Sequence, residues 1–250
     1  MHFPTPDTRT VSVCWTDASL VTPRDADLWL AQLPSDEQQR FRRYRRPLDA
    51  HQFLVGRLLV RRWLADLTGQ SAAAWRFSEG ARGRPGVASP HTDWSFNLAH
   101  SGGLVACAIA HAVDVGVDLE DMDRRPMTRD LAQRFCAPAE FADIERQPEA
   151  ERTQRFLTYW TLKEAYLKAR GLGIAVHLAD VAFSLDGPHP TITFLGSLIG
   201  TSADWAFELF QPTPRYVLSV AAPLGVDHTR PLITVTPLPL TTLMPGGAGD

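Results

Sequence analysis

The chain has 250 residues, 44% of them hydrophobic, with 25 lysines and arginines against 28 aspartates and glutamates, for a formal net charge of -3. That is enough apolar material for one large domain or two small ones with real cores, and too even a balance for a protein that binds nucleic acid mainly by charge. Cys14, Cys107 and Cys136 are odd in number and widely spaced, fitting neither a disulfide framework nor a zinc site, and no charged-then-apolar leader or run of 18 apolar residues occurs, so a cytoplasmic, soluble protein is expected.

In chain order, the alternating, valine-rich run Val11–Trp15 predicts a strand. Residues 24–67 are helical in character. Arg24–Leu33 is short, Pro34-Ser35 marks a new helix start, and Pro47–Leu67 carries Phe53, Leu54, Leu58, Leu59 and Trp63 at helical spacing before Thr68-Gly69 ends it. A turn-rich stretch over Gly80–Pro90 precedes three expected strands, Trp94–Leu98, Leu104–Ala110 and Val115–Glu120. Helical pattern returns over Thr128–Ile144, broken near Pro138, and over Glu149–Arg170, stopped by Gly171 and Gly173. Four alternating runs follow: Val181–Leu185, Thr191–Leu195, Trp205–Phe210 and Tyr216–Ala221. Long helices with antiparallel-looking strands in both halves predict an α+β fold. Cys14 and Cys107 fall in the strand runs, where a thiol is expected to be buried.

Two segments carry chemistry. In Val115-Gly116-Val117-Asp118-Leu119-Glu120 the strand period of two turns Val115, Val117 and Leu119 to the core and Gly116, Asp118 and Glu120 to the other face. Two carboxylates then stand side by side, with a glycine that leaves room for a ligand, and a bound cation would offset their repulsion. A solvated strand face accounts for these six residues equally well. In the helix, Trp160, Glu164 and Lys168 share one stripe at i, i+4 and i+8. A Glu–Lys pair at that spacing is usually a surface ion pair worth ~0.3–0.5 kcal/mol, but the tryptophan argues that this face is covered. A third carboxylate near Asp118 and Glu120 would suit magnesium, which takes oxygen ligands and keeps waters.

Val-Gly-Val-Asp-Leu-Glu over 115–120, then Trp160-x-x-Lys163-Glu164-Ala165-x-x-Lys168, resembles the signature of the 4'-phosphopantetheinyl transferases, most closely the long monomeric type that activates surfactin-like peptide synthetases. Phe96-Asn97-Leu98-Ala99-His100-Ser101-Gly102, Gly83-Arg84-Pro85, Asp49-Ala50-His51, Arg134-Phe135 and Ala139-Glu140-Phe141 resemble further elements of that family, so the likeness runs over about residues 35–185.

The resemblance implies two similar α/β halves in a pseudo-two-fold arrangement. Residues 1–111 would form the coenzyme A side, 112–236 the half with the metal and catalytic motifs, and 237–250 a flexible tail. The implied reaction is Mg2+-dependent transfer of the phosphopantetheine arm of coenzyme A to a serine of an apo acyl or peptidyl carrier protein, with release of 3',5'-ADP. Asp118, Glu120 and Glu164 would hold Mg2+, Glu164 would accept the serine proton, and Lys168 would neutralise the diphosphate. Arg40 and Arg84 are the choices for the 3'-phosphate, since arginine donates bidentately to such groups, and His100 for either phosphate. The helical period turns Lys163 about 100° from Glu164, off that stripe. The chain departs from the family at Ala99, where a hydroxyl is common, at Glu37, where a base is common, and at Phe53, where threonine is common. Asp121–Arg129, with Arg124 and Arg125, is the expected docking segment for an acidic carrier surface. Nucleic acid is not an expected partner, since the arginines of 40–46 and 57–62 have no stacking platform beside them. Neither a Gly-rich phosphate loop nor a histidine cluster supports a nucleotide hydrolase, and the intact acidic set argues against a carrier-binding module without catalysis.

Overall fold

The computed structural model describes residues 3–4, 10–80, 84–123, 127–172, 176–196 and 204–243. The first half runs β1 (Thr10–Asp17), α1 (Pro23–Leu30), α2 (Ser35–Arg42), α3 (Pro47–Thr68), a ribbon of β2 (Arg76–Glu79) and β3 (Pro85–Ser89), then β4 (Trp94–Ser101) and β5 (Leu104–His111). The second repeats that plan: β6 (Gly116–Asp121), α4 (Arg129–Phe135), α5 (Pro138–Arg146), α6 (Glu149–Arg170), a ribbon of β7 (Val181–Ser184) and β8 (Thr191–Phe194), then β9 (Trp205–Phe210) and β10 (Tyr216–Pro223). Strand pairing repeats as well. In the first sheet β1 pairs with β5 and β5 with β4; in the second β6 pairs with β10 and β10 with β9, all antiparallel.

Local chemistry sets the element ends. A capping box between Thr22 and Asp25 starts α1, with Pro23 in its first turn. Pro47 opens α3 and Pro138 opens α5, which is why the helical run beginning at Thr128 breaks into two. Both 22-residue helices, α3 and α6, end on a glycine in the left-handed region, Gly69 at φ 70° and Gly171 at φ 60°.

The strand period sorts side chains into three cores. On β5, Val105, Cys107 and Ile109 face α3, whose Leu54, Leu58, Leu59 and Trp63 meet Trp29, Trp75 and Phe96; each such side chain contributes about 1.5–3 kcal/mol on burial. Leu104, Ala106, Ala108 and Ala110 face the other way, against Val117, Leu119, Leu218 and Val220, so the sheets pack face to face. The third core lies between α6 and Phe183, Phe207 and Ala221. Cys14 and Cys107 are register partners, buried and free, and burial pushes both thiols up.

Each half carries the same buried ion pair. Arg61, eight residues before Gly69, donates to Glu37 of α2 at 2.8 Å and to the Trp75 carbonyl. Lys163, eight residues before Gly171, pairs with Glu140 of α5 at 2.5 Å and donates to the Leu178 carbonyl at 2.9 Å.

Two expectations need correction. The stretch before Trp94 contains the β2–β3 ribbon, and beyond the last expected strand lies β11 (Leu232–Pro237), which returns to the first sheet and pairs parallel with β1. A second half drawn as 112–236 therefore includes a strand of the first sheet. Leu238 and Leu243 are buried in the first core, so the segment from 237 is packed as far as Leu243; residues 244–250 lie outside the described residues, as do Gly83, Arg124, Arg125 and Pro126. No helix among the described residues is long and apolar enough to cross a membrane.

Candidate active site

Strand β6 and helix α6 build the site together. Asp118, Glu120, Trp160, Glu164 and Lys168 all line one cavity of about 690 Å³, with Arg134, Phe135, Leu167 and the 176–178 segment completing its wall. The period-two strand face and the i, i+4, i+8 helix stripe thus meet as expected. Glycine at 116 serves a different purpose from the one expected. A Cβ there would run into the Ala165 carbonyl oxygen and come within 2.7 Å of the Ala169 nitrogen, so the glycine makes room for α6 rather than for a ligand. This backbone approach carries the helix stripe up to the carboxylates two and four residues along. A buried hydrogen bond of 2.6 Å between Thr161 and Ser219 of β10 fixes α6 from its other turns.

Lys168 Nζ lies 2.6 Å from Asp118 Oδ1 and donates to the Val117 carbonyl at 3.2 Å. Burial pushes the Asp118 carboxyl up, against the pull of Lys168, and its Oδ2 is buried with no hydrogen-bond partner among the described residues. Burial also raises Glu164, helped by Asp118 and Glu120 and opposed by Lys168. Among the described residues, no three acidic, histidine or cysteine side chains stand closed around one point as a ready metal cage. The donor set nevertheless suits a hard cation. It is all carboxylate oxygen, mutually repulsive, and contains an orphaned buried lone pair that a cation would satisfy.

Glu120 takes a hydrogen bond of 2.8 Å from the Ser101 hydroxyl, which reaches over from β4 of the first half. The next residue, Asp121, is buried and held by Arg215 in two bonds of 2.7 and 2.6 Å. Lys163 lies outside the site; it is 1% exposed and committed to Glu140, which also accepts from the backbone of Ala137 and Phe183 at 2.7 Å.

The other expected ligand residues are not brought to this cavity. Arg84 lines a second cavity of about 610 Å³ with Trp94, Asp114 and Gly171, and donates to the Ala169 carbonyl at 2.6 Å and the Val115 carbonyl at 3.4 Å. It therefore clamps the end of α6 to the start of β6. Arg40 is half exposed, pairs with Glu79 at 2.5 Å and lies over the Phe53 ring. His100 is exposed on β4 between buried Ala99 and Ser101. Glu37 is a buried partner of Arg57 and Arg61 at 3.5 and 2.8 Å. The roles of Ser101, Arg215 and Glu37 are not legible in the sequence, where Ser101 stands only within a family motif and Glu37 only as a departure from it, since those roles rest on partners 19 or more residues away.

Comparison with known proteins shows the family of the chain. The family model of the 4'-phosphopantetheinyl transferase superfamily matches residues 114–221, and that of a 4'-phosphopantetheinyl transferase N-terminal region matches residues 21–112. The chain is similar to the 4'-phosphopantetheinyl transferase HetI of Nostoc sp., 32% identical over 193 residues that cover 76% of this chain and 78% of that one. A 4'-phosphopantetheinyl transferase of Bacillus subtilis is 31% identical over 67% of this chain and 74% of its own. Sfp of Bacillus subtilis strain 168 is 27% identical over 81% and 87%. The holo-(acyl-carrier-protein) synthase of Bacillus anthracis, solved in complex with CoA (3',5'-ADP), aligns over 44% of this chain and 95% of its own, with a TM-score of 0.38 and 19% identity.

Proposed function

The chain belongs to the 4'-phosphopantetheinyl transferase superfamily, and from that we propose that it transfers the 4'-phosphopantetheine group of coenzyme A to a serine of an apo acyl or peptidyl carrier protein, acting as a monomer in the cytoplasm. The observation that carries the reading is the meeting of Asp118, Glu120, Glu164 and Lys168, from two separate elements, in one cavity.

Asp118, Glu120 and Glu164 would hold a Mg2+ ion, which when bound supplies positive charge against the diphosphate of coenzyme A. The serine hydroxyl attacks the β-phosphorus, a new P–O bond forms, and the P–O bond to 3',5'-ADP breaks. Such a transfer depends chiefly on position and charge. Glu164, which lines the cavity beside Asp118 and Lys168, accepts the serine proton. Lys168 moves from Asp118 to the diphosphate and neutralises the departing oxygen. Trp160 and Phe135, in edge contact with centroids 5.2 Å apart, keep water from one wall. Arg84, Arg40 and His100 serve the phosphates at the nucleotide end, Arg84 from the rim of the second cavity.

Incubation with coenzyme A, Mg2+ and apo carrier proteins of fatty-acid, polyketide and peptide type, followed by mass spectrometry of the carrier, tests this. Gain of the arm by at least one carrier is expected, and loss of that gain in Asp118→Ala and Glu164→Ala. Either variant turning over near the wild-type rate would remove these residues from the mechanism.

A further inference from the structure

Strands β4 and β6 lie side by side but belong to different sheets. What joins them is a pair of side-chain rungs. Asn97 Oδ1 accepts from the Val117 amide at 2.9 Å, and Ser101 Oγ accepts from the Asp121 amide at 3.2 Å; both span 20 residues in sequence. Asn97 and Ser101 are four apart on one strand, Val117 and Asp121 four apart on the other, so the strands run parallel in fixed register. Between the rungs, Ala99 is 3% exposed and adds no polar group of its own side chain.

The rungs differ in one respect. Asn97 ends at the backbone, whereas the Ser101 hydroxyl, 2% exposed, donates its own hydrogen bond to Glu120 Oε2 at 2.8 Å. Having accepted the Asp121 amide, the hydroxyl has its hydrogen directed away from that bond, toward the carboxylate. The rung is itself braced. Gln52 of α3 donates to the Gly102 carbonyl at 2.9 Å, and the Tyr216 hydroxyl accepts from the Gly103 amide at 3.0 Å. A short hydroxyl on a braced strand allows one carboxylate orientation where a solvated glutamate would sample several rotamers.

We propose that Ser101 is a positioning residue: from the first half it orients the Glu120 carboxylate toward Asp118 and Glu164, and so sets the affinity of the site for a divalent cation. The inference rests on the assignment of these three carboxylates as cation ligands. Hydrogen bonds to ligating carboxylates from outside the ligand set are typically worth 10–100-fold in metal affinity or activity.

The test measures cation binding without substrate. Mn2+, which carboxylate sites accept as they do Mg2+, is titrated into the whole protein and the free ion followed by electron paramagnetic resonance. Ser101→Ala should raise the Mn2+ Kd by about 10-fold, and Ser101→Thr, which keeps the hydroxyl, should restore it. Asn97→Ala, which breaks the other rung, should lower Tm while leaving the Mn2+ Kd within about twofold. If Ser101→Ala does not fold, Ser101→Cys keeps the volume with a weaker donor and carries the same expectation. A wild-type protein that binds Mn2+ and a Ser101 variant that binds it equally well overturn the assignment of Ser101 alone. A wild-type protein that binds no Mn2+ overturns the ligand set as well.

Discussion

Gly116→Ala asks whether the close approach of α6 to β6 builds the site. The new Cβ would collide with the Ala165 carbonyl oxygen and stand 2.7 Å from the Ala169 nitrogen and 2.9 Å from the Ala165 carbonyl carbon. All three are backbone atoms that no side-chain rotation can move aside. The helix or the strand must therefore shift as a body, and overpacking of this kind costs about 1–3 kcal/mol. Taking about 2–3 kcal/mol, and about 2–4 °C per kcal/mol for a chain of this size, Tm should fall by about 4–12 °C. The same shift draws Lys168 and Glu164 away from Asp118, whose present contact with Lys168 is 2.6 Å, so Mn2+ affinity should fall at least 10-fold. Thermal unfolding followed by circular dichroism, with and without MgCl2, reads the first effect, and Mn2+ titration reads the second. Gly86→Ala on β3 is the control, because a Cβ there meets nothing within 4 Å among the described residues, and its stability should stay within about 0.5 kcal/mol of wild type. A Gly116→Ala protein that melts with the wild type and binds Mn2+ as tightly would refute the account of how strand and helix meet.

Lys163→Met should cost about 3–5 kcal/mol in urea unfolding, because it strands Glu140 as an unpaired buried charge; Lys163→Met with Glu140→Leu should lose less than the two singles added together, and strict additivity would count against the pair. Glu164 has its carboxyl raised by burial and by Asp118 and Glu120, so the native state binds a proton more readily than the unfolded chain does. That contribution is complete below the ordinary glutamate value and is lost as pH rises through the raised one. The stability of wild type minus that of Glu164→Gln should therefore decline from about pH 4.5 toward neutrality without metal, and saturating Mg2+ should abolish the decline; a flat difference would contradict the buried, repelled state of this carboxylate. Arg84→Ala should lower Tm by releasing the Ala169 and Val115 carbonyls, and should weaken coenzyme A by roughly 1.5–3 kcal/mol more than dephospho-coenzyme A. Equal losses for the two ligands in calorimetry would leave Arg84 with the clamp alone.

The helices were legible because their ends carry strong local signals, prolines in the first turn of α3 and α5 and glycine caps after α3 and α6. The acidic face of β6 and the stripe on α6 were legible because period two and period 3.6 leave little freedom once the apolar side is known. The β2–β3 ribbon was not, since four- and five-residue strands with one or two apolar side chains look like turn. β11 was hidden because its partner, β1, lies at the other end of the chain. The purpose of Gly116 was hidden because only the packed helix reveals what a Cβ would strike. Nothing local to the run of arginines in α3 marks any of them as buried, yet Arg61 is 2% exposed and Arg57 7%. Spacing alone was blind to the carboxylate of Glu37 that waits for them on another helix.

The repeated plan of the two halves explains both what matches and what does not. Counting back from the glycine caps, Lys163 corresponds to Arg61, and each is a buried cation tied to a carboxylate of the preceding helices and to a carbonyl just before the ribbon. That pair belongs to the fold, since it occurs where there is no catalytic cavity as well as where there is one. By the same count Glu164 and Lys168 correspond to Arg62 and Asp66. Arg62 is engaged with Gln32 at 2.9 Å, and the strand face turned toward α3 offers Cys14 where β6 offers carboxylates. Among the described residues the first half therefore does not repeat the Asp118, Glu120 and Glu164 carboxylates at this place, even though its backbone runs the same course. Its contribution to the site is made sideways instead, through Asn97 and Ser101 at the seam. Residues specific to one half are thus the ones that separate chemistry from architecture, and Ser101 is the point at which the architecture of the first half reaches the chemistry of the second.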